Sequence, residues 1–112
     1  MGIELLYWAF LLGAILFEVA GTTCMKLSDG FSKLLPTAGV IVFYLLSLSM
    51  LTLTLKKIDV SVAYAIWSGV GTALIACIGI LYFKEPATAI KLASISLIIA
   101  GVVGLNLGGG AH

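Results

Sequence analysis

Four long apolar blocks divide the chain, and each is ended by charged or turn-forming residues. The blocks predict helices over about residues 3–25, 35–55, 60–83 and 88–107. About 20 residues at 1.5 Å each span a hydrocarbon core of ~30 Å. Because a backbone in lipid must satisfy its own hydrogen bonds, helix is the structure expected for such runs. The pattern predicts an all-α membrane protein, a single domain over residues 1–112 with four transmembrane helices.

Lysines mark the polar breaks between these blocks. With four spans, both termini lie on one side of the membrane. The opposite side would then carry Lys26, Lys33, Lys84 and Lys91, against Lys56, Lys57 and the α-amino group on the side of the termini. Positive charge favours the cytoplasmic side. Since the two sides differ so little, the pattern permits insertion in both orientations.

Composition agrees with the membrane class and excludes several others. The chain is 62% hydrophobic and 10% charged, whereas soluble domains carry about 25% charged residues. It has no arginine and a net charge of +1, so it lacks the basic stripe of a nucleic-acid binder. Cys24, Cys77 and His112 show no metal-ligand spacing and no nucleophile–base pair. We therefore expect no enzyme activity, no cofactor and no metal site.

Glu18 is a carboxylate inside the first apolar block. An acid near the centre of a membrane helix costs about 2.5–3.5 kcal/mol on insertion scales. All six lysines lie at predicted helix ends or in loops. A proton and a cation from outside the chain are thus the candidates to neutralise Glu18, and they would compete for it. The alternative is a protonated, hydrogen-bonded structural acid.

Polar and aromatic positions on the first three helices extend this candidate site. Ala14 and Thr22 share the face of Glu18 at a spacing of four residues. On the second helix, Tyr44 and Ser47 lie near mid-depth, and we expect the Tyr44 phenol to meet Glu18. The third helix contributes the group Tyr64, Trp67 and Ser68, of which Trp67 lies deeper than an interfacial belt requires. Its face could bind an organic cation, although simple packing would also explain it.

Small residues dominate one stripe of the fourth helix. Ser94, Gly101 and Gly108 recur at heptad spacing, and Gly104 precedes Gly108 by four residues. Small residues let membrane helices approach closely. We therefore expect this helix to hold two copies of the chain together in the lipid bilayer.

Two motifs carry a resemblance to a known family. The run from Glu18 to Thr23, with Lys26 and Ser28-Asp29-Gly30-Phe31, resembles the first-helix signature of small multidrug resistance transporters. Ala63–Gly71 resembles that family's third-helix signature. The resemblance covers essentially the whole chain, and it is nearer to the quaternary-ammonium branch than to the guanidinium branch.

The resemblance implies a multi-pass protein of the bacterial inner (plasma) membrane. It implies an antiparallel, dual-topology homodimer that exports lipophilic cations in exchange for protons. Glu18 of both subunits would bind proton and substrate in turn, Tyr64 and Trp67 would line the pocket, and Tyr44 would assist. Two alternatives stay open: a guanidinium or polyamine exporter of the same fold, and one subunit of a heterodimeric membrane assembly.

Overall fold

A computed structural model of the chain describes residues 2–107, with side chains for residues 5–105 and 107. The described residues form four α-helices: α1 (Gly2–Leu27), α2 (Leu34–Thr54), α3 (Val60–Leu81) and α4 (Ala89–Leu107). The all-helical prediction with four helices is confirmed. Every observed helix end lies within two residues of its predicted position.

Within residues 2–107, three helices are long and apolar enough to cross a membrane, namely α1, α2 and α3. The fourth helix is apolar too, but the stretch Ala89–Leu105 is shorter than a span of that kind. Membrane crossing by α4 therefore stays a prediction. The described contacts divide into two compact units, the first ending at Lys56 and the second starting at Lys57. The organisation as a single domain also stays a prediction.

The first unit is a hairpin in which α1 and α2 run antiparallel. Near the carboxyl end of α1, Cys24 lies against Gly39 close to the start of α2. Further back on α1, the Phe17 ring stacks on Phe43 with 6.1 Å between ring centroids. Residue numbers therefore rise along α1 as they fall along α2, which sets the middle of α1 beside the middle of α2.

A buried serine shapes the turn between α1 and α2. The Ser28 hydroxyl donates to the Met25 carbonyl at 2.7 Å and accepts the Phe31 amide at 3.1 Å. Asp29, Gly30 and Phe31 all have positive φ, at 49°, 70° and 66°. Such φ values are uncommon outside glycine. Local hydrogen bonds of Ser28 thus compensate a turn that two non-glycine residues adopt at some cost.

The second unit consists of α3 and α4. A Cβ at Gly69 would overlap the Val102 side chain and lie 3.3 Å from Ile98 Cγ2. Glycine therefore lets α4 approach the backbone of α3 at this point. Past the end of α3, the Glu85 amide donates to the Gly79 carbonyl at 2.9 Å. The Glu85 carboxylate lies 3.4 Å from Lys91 Nζ, so an ion pair joins the loop to the first turn of α4.

Candidate functional site

Glu18 lies in the interior of α1, more than two turns from either helix end, and its side chain is half-buried. Around it the helix is apolar, and Leu11 and Ile15 on the preceding turns are almost completely buried. Residues at a spacing of three, four or seven share a helix face. Glu18 therefore extends the buried face of α1 with a carboxylate.

A hydroxyl from the next turn contacts this carboxylate. The Thr22 hydroxyl donates to Glu18 Oε2 across 2.6 Å. The same Thr22 Oγ1 lies 2.6 Å from the phenol oxygen of Tyr44 on α2. The structure thus links Tyr44 to Glu18 through Thr22 and joins three of the predicted site residues.

Gly21 allows the Tyr44 ring to lie close to α1. A Cβ at this position would be 3.0 Å from Tyr44 Cε2 and 3.1 Å from Cδ2, closer than side chains normally pack. A larger residue would push the ring away from the backbone of α1. The glycine beside Thr22 therefore helps to bring the phenol of α2 within reach of the threonine hydroxyl.

Ser47 and Ala14 lie one layer away, and both are completely buried. The Ser47 hydroxyl donates to the Ala14 carbonyl at 2.7 Å. A hydrogen bond of this kind between membrane helices is worth about 0.6–2 kcal/mol. In this arrangement the two residues hold α2 against α1 beside Glu18, and their assignment to the binding site stays a prediction.

The aromatic pair predicted on the third helix lies in the second unit. Tyr64 and Trp67 meet edge to face, with 6.3 Å between ring centroids and 72° between ring planes. Tyr64 is 66% exposed and Trp67 is half-buried. Ser68 is exposed on the next position of α3. The two rings support each other, and the exposed face of Tyr64 is available for contact.

The small residues predicted to join two copies lie exposed on α4. Ser94, Gly101 and Gly104 are exposed, and a Cβ at either glycine would meet no atom within 4 Å. The half-buried residues Ile95, Ile99 and Val102 lie on a different face of the helix, which includes the contact with Gly69. Gly108 lies outside the described residues.

Two contacts near Glu18 were not predicted from the sequence. Tyr44 Oη lies 3.9 Å from the Met25 sulfur at the end of α1. Met25 follows Glu18 by seven residues, so the helical spacing places both on one face. The stacked rings of Phe17 and Phe43 also lie in this hairpin. Nothing in the apolar pattern distinguishes these two phenylalanines from lipid-facing ones.

Residues 6–98 match the sequence profile of the family described as "Small Multidrug Resistance protein". The chain belongs to the small multidrug resistance family. The matched range includes both motifs on which the resemblance was based. The resemblance is therefore confirmed.

Three relatives from Bacillus subtilis (strain 168) show how close the similarity is. The multidrug resistance protein EbrB is 51% identical over 102 residues, covering 91% of this chain and 85% of EbrB. The multidrug resistance protein EbrA is 46% identical over 102 residues, covering 91% and 97%. The uncharacterised membrane protein YvaE is 63% identical over 100 residues, covering 89% and 84%.

Family membership agrees with the apolar helices of the structure. A small multidrug resistance protein is a transporter rather than an enzyme. Residues 2–107 include three helices suited to crossing a membrane, and the chain is a multi-pass bacterial membrane protein. The predicted localisation is therefore confirmed.

Proposed function

We propose that this protein is a proton-coupled antiporter that exports lipophilic and quaternary ammonium cations, and that Glu18 binds protons and substrate in turn. The observation that supports this most strongly is the half-buried Glu18 carboxylate in the interior of an apolar helix, held by the Thr22 hydroxyl at 2.6 Å. Acids inside membrane helices are expensive and typically mark proton or ion pathways.

Exchange follows from the chemistry of one carboxylate in an apolar setting. The carboxylate is stabilised either by a bound proton or by a nearby cation. A protonated Glu18 has lost the charge that attracts the cation, and a bound cation opposes protonation. Binding of a proton to Glu18 on one side of the membrane therefore releases the cation on that side. Release of the proton on the other side allows a new cation to bind there.

The aromatic pair on α3 favours quaternary ammonium cations over guanidinium or polyamines. A quaternary nitrogen has no N–H group, so it is held by charge and by aromatic faces, worth up to ~2 kcal/mol when desolvated. Guanidinium and polyamines carry several N–H donors and require matching acceptors. We assign Tyr64 and Trp67 to the cation pocket, with Ser68 beside them. Guanidinium or polyamine export is the second candidate.

Two copies of the chain would complete the transporter. The exposed small residues of α4 support an antiparallel homodimer, because open space around Gly101 and Gly104 allows close approach of a second helix. Nearly equal lysine counts on the two sides support insertion in both orientations. Glu18 of both subunits would then contribute to one exchange site.

One specific observation favours the heterodimeric alternative. EbrA, EbrB and YvaE, which are all similar to this chain, come from the same bacterial strain, so one organism carries several such chains. A chain that encounters such relatives could assemble with one of them. A test of function must therefore show whether this chain acts by itself.

Transport by the purified chain alone separates these possibilities. In proteoliposomes with an acidic lumen, outward proton movement should drive saturable uptake of methyl viologen, a quaternary cation. Guanidinium and spermidine should be taken up much more slowly under the same gradient. Faster uptake of guanidinium or spermidine than of methyl viologen would show that the protein exports guanidinium or polyamines instead. Activity that appears only after co-reconstitution with a second family member would establish the heterodimer.

A further inference from the structure

The hydroxyls of Thr22 and Tyr44 form a chain that starts at the Glu18 carboxylate. Thr22 Oγ1 lies 2.6 Å from Glu18 Oε2 and 2.6 Å from Tyr44 Oη. Tyr44 Oη lies 3.9 Å from the sulfur of Met25. Each hydroxyl has one hydrogen to donate, whereas a carboxylate and a thioether sulfur can only accept. This hydroxyl chain therefore contains two hydroxyl hydrogens and has an acceptor at each end, the Glu18 carboxylate and the Met25 sulfur.

When Glu18 is ionised, the direction in which the two hydroxyls donate their hydrogens is fixed. The carboxylate cannot donate, so the short contact with Thr22 requires the threonine hydrogen. Thr22 has no second hydroxyl hydrogen, and its contact with Tyr44 must therefore use the phenol hydrogen. Both hydrogens then point toward α1 and stabilise the negative charge that attracts a cation.

When Glu18 is protonated, the same oxygen positions allow the opposite direction. The carboxyl O–H can donate to Thr22 Oγ1, Thr22 can donate to Tyr44 Oη, and Tyr44 can donate to the Met25 sulfur. Sulfur is a weak acceptor that forms longer contacts, and 3.9 Å leaves room for one. Each proton stays on its own oxygen, since the O–H bonds need only rotate.

We propose that protonation of Glu18 reverses the direction of this hydroxyl chain, so that Tyr44 on α2 senses the protonation state of a carboxylate on α1. The proposal rests on the proposed function, which makes Glu18 the proton site. Thr22 is a positioning residue here, because it acts through Glu18 and Tyr44. Met25 is the terminal acceptor that allows the protonated state to satisfy every hydroxyl hydrogen.

Several other titratable groups lie on α1 and α2, so a change of pH affects more than Glu18. Besides Glu18, they are Glu4, Tyr7, Cys24 and Lys26 on α1 and Tyr44 on α2. Tyr44 is joined to the carboxylate through Thr22. Cys24 lies against Gly39, and Lys26 is exposed in the last turn of α1. The test must therefore measure a signal that comes from the Tyr44 hydroxyl itself, rather than the titration of the whole protein.

Infrared difference spectroscopy of the full-length protein in lipid tests the reversal. The C–O stretch of a tyrosine differs between a hydroxyl that only donates and one that also accepts, and subtraction of Tyr44→Phe spectra isolates the Tyr44 band. This band should shift between high and low pH in the wild type and in Thr22→Ser. The shift should be lost in Thr22→Val and Glu18→Gln. Thr23→Val is the matched control, since the Thr23 hydroxyl bonds to the Val19 carbonyl at 2.9 Å.

The carboxyl band of Glu18, recorded in the same spectra, separates the two levels of the proposal. A Tyr44 band that stays fixed while this carboxyl band titrates overturns the reversal and leaves the proton site intact. Absence of a titrating Glu18 band overturns the proposed function. Met25→Leu provides a second variant, because loss of the terminal acceptor should remove the low-pH position of the Tyr44 band. A full shift in that variant also contradicts the reversal.

Discussion

Replacement of Glu18 by glutamine is expected to abolish proton-driven uptake of methyl viologen, down to the rate of protein-free liposomes. Glutamine has nearly the shape of glutamate and can still accept the hydrogen bond from Thr22. It carries no charge and exchanges no proton, so both halves of the antiport cycle should stop. The measurement is the initial uptake rate in proteoliposomes with an acidic lumen, at matched protein content.

Glu85→Gln is the matched control for this variant. Glu85 is a carboxylate in the loop before α4, where it pairs with Lys91 at 3.4 Å. Exposed ion pairs contribute about 0–1 kcal/mol, so this variant should fold and transport like the wild type. Wild-type uptake by Glu18→Gln would refute the assignment of Glu18. Equal loss in Glu85→Gln would show that the effect is not specific to the membrane carboxylate.

Trp67→Leu is expected to weaken binding of tetraphenylphosphonium about 10- to 30-fold. A desolvated cation–π contact contributes up to ~2 kcal/mol, and each 1.4 kcal/mol corresponds to about tenfold in affinity. Leucine is apolar but has no aromatic face, whereas Trp67→Phe retains one and should lose less. Equilibrium dialysis with radiolabelled tetraphenylphosphonium measures the dissociation constant without relying on tryptophan fluorescence.

The other tryptophan of the chain controls for a general loss of aromatic packing. Trp8 is also half-buried, but it lies near the start of α1, far along that helix from Glu18. Trp8→Leu should leave the affinity for tetraphenylphosphonium unchanged. If Trp8→Leu and Trp67→Leu weaken binding equally, the aromatic assignment on α3 is wrong.

The helices could be predicted from the sequence because hydrocarbon tolerates few polar interruptions. Charged or turn-forming residues end each apolar block, and the observed helix ends follow them closely. The end of α3 is the instructive exception. It was predicted at Phe83, yet the helix stops at Leu81. Lys84 has a φ of 59°, and the Glu85 amide turns back to Gly79. The turn thus begins before the charged residues that mark it.

The centre of the site was predictable for electrostatic reasons. An approach of Tyr44 to Glu18 was expected as well, but the route of this connection through Thr22 was not. A carboxylate inside an apolar block is costly wherever the helix packs, so Glu18 was evident from its position alone. Thr22 follows from the four-residue spacing. The link to Tyr44 depends on the register between α1 and α2. A shift of one turn, about 5.4 Å, would move the phenol out of reach, and the apolar pattern does not determine that register.

Ser47 shows a different limit of sequence reasoning. A serine hydroxyl near the middle of a membrane helix can face a ligand or a backbone carbonyl, and the sequence pattern is the same in both cases. The structure buries Ser47 completely and directs its hydroxyl to Ala14. The backbone contact depends on tertiary packing, which residue type does not reveal, and a role of Ser47 in the binding site stays a prediction.

Proton release on cation binding tests the exchange at Glu18 most directly. Tetraphenylphosphonium is added to the purified protein in lipid nanodiscs, in weakly buffered solution across a range of pH, and released protons are counted against bound cation. The wild type should release protons on binding over part of the range, and Glu18→Gln should release none. Cation binding without proton release by the wild type at every pH, or equal release by Glu18→Gln, would contradict the proposed antiport.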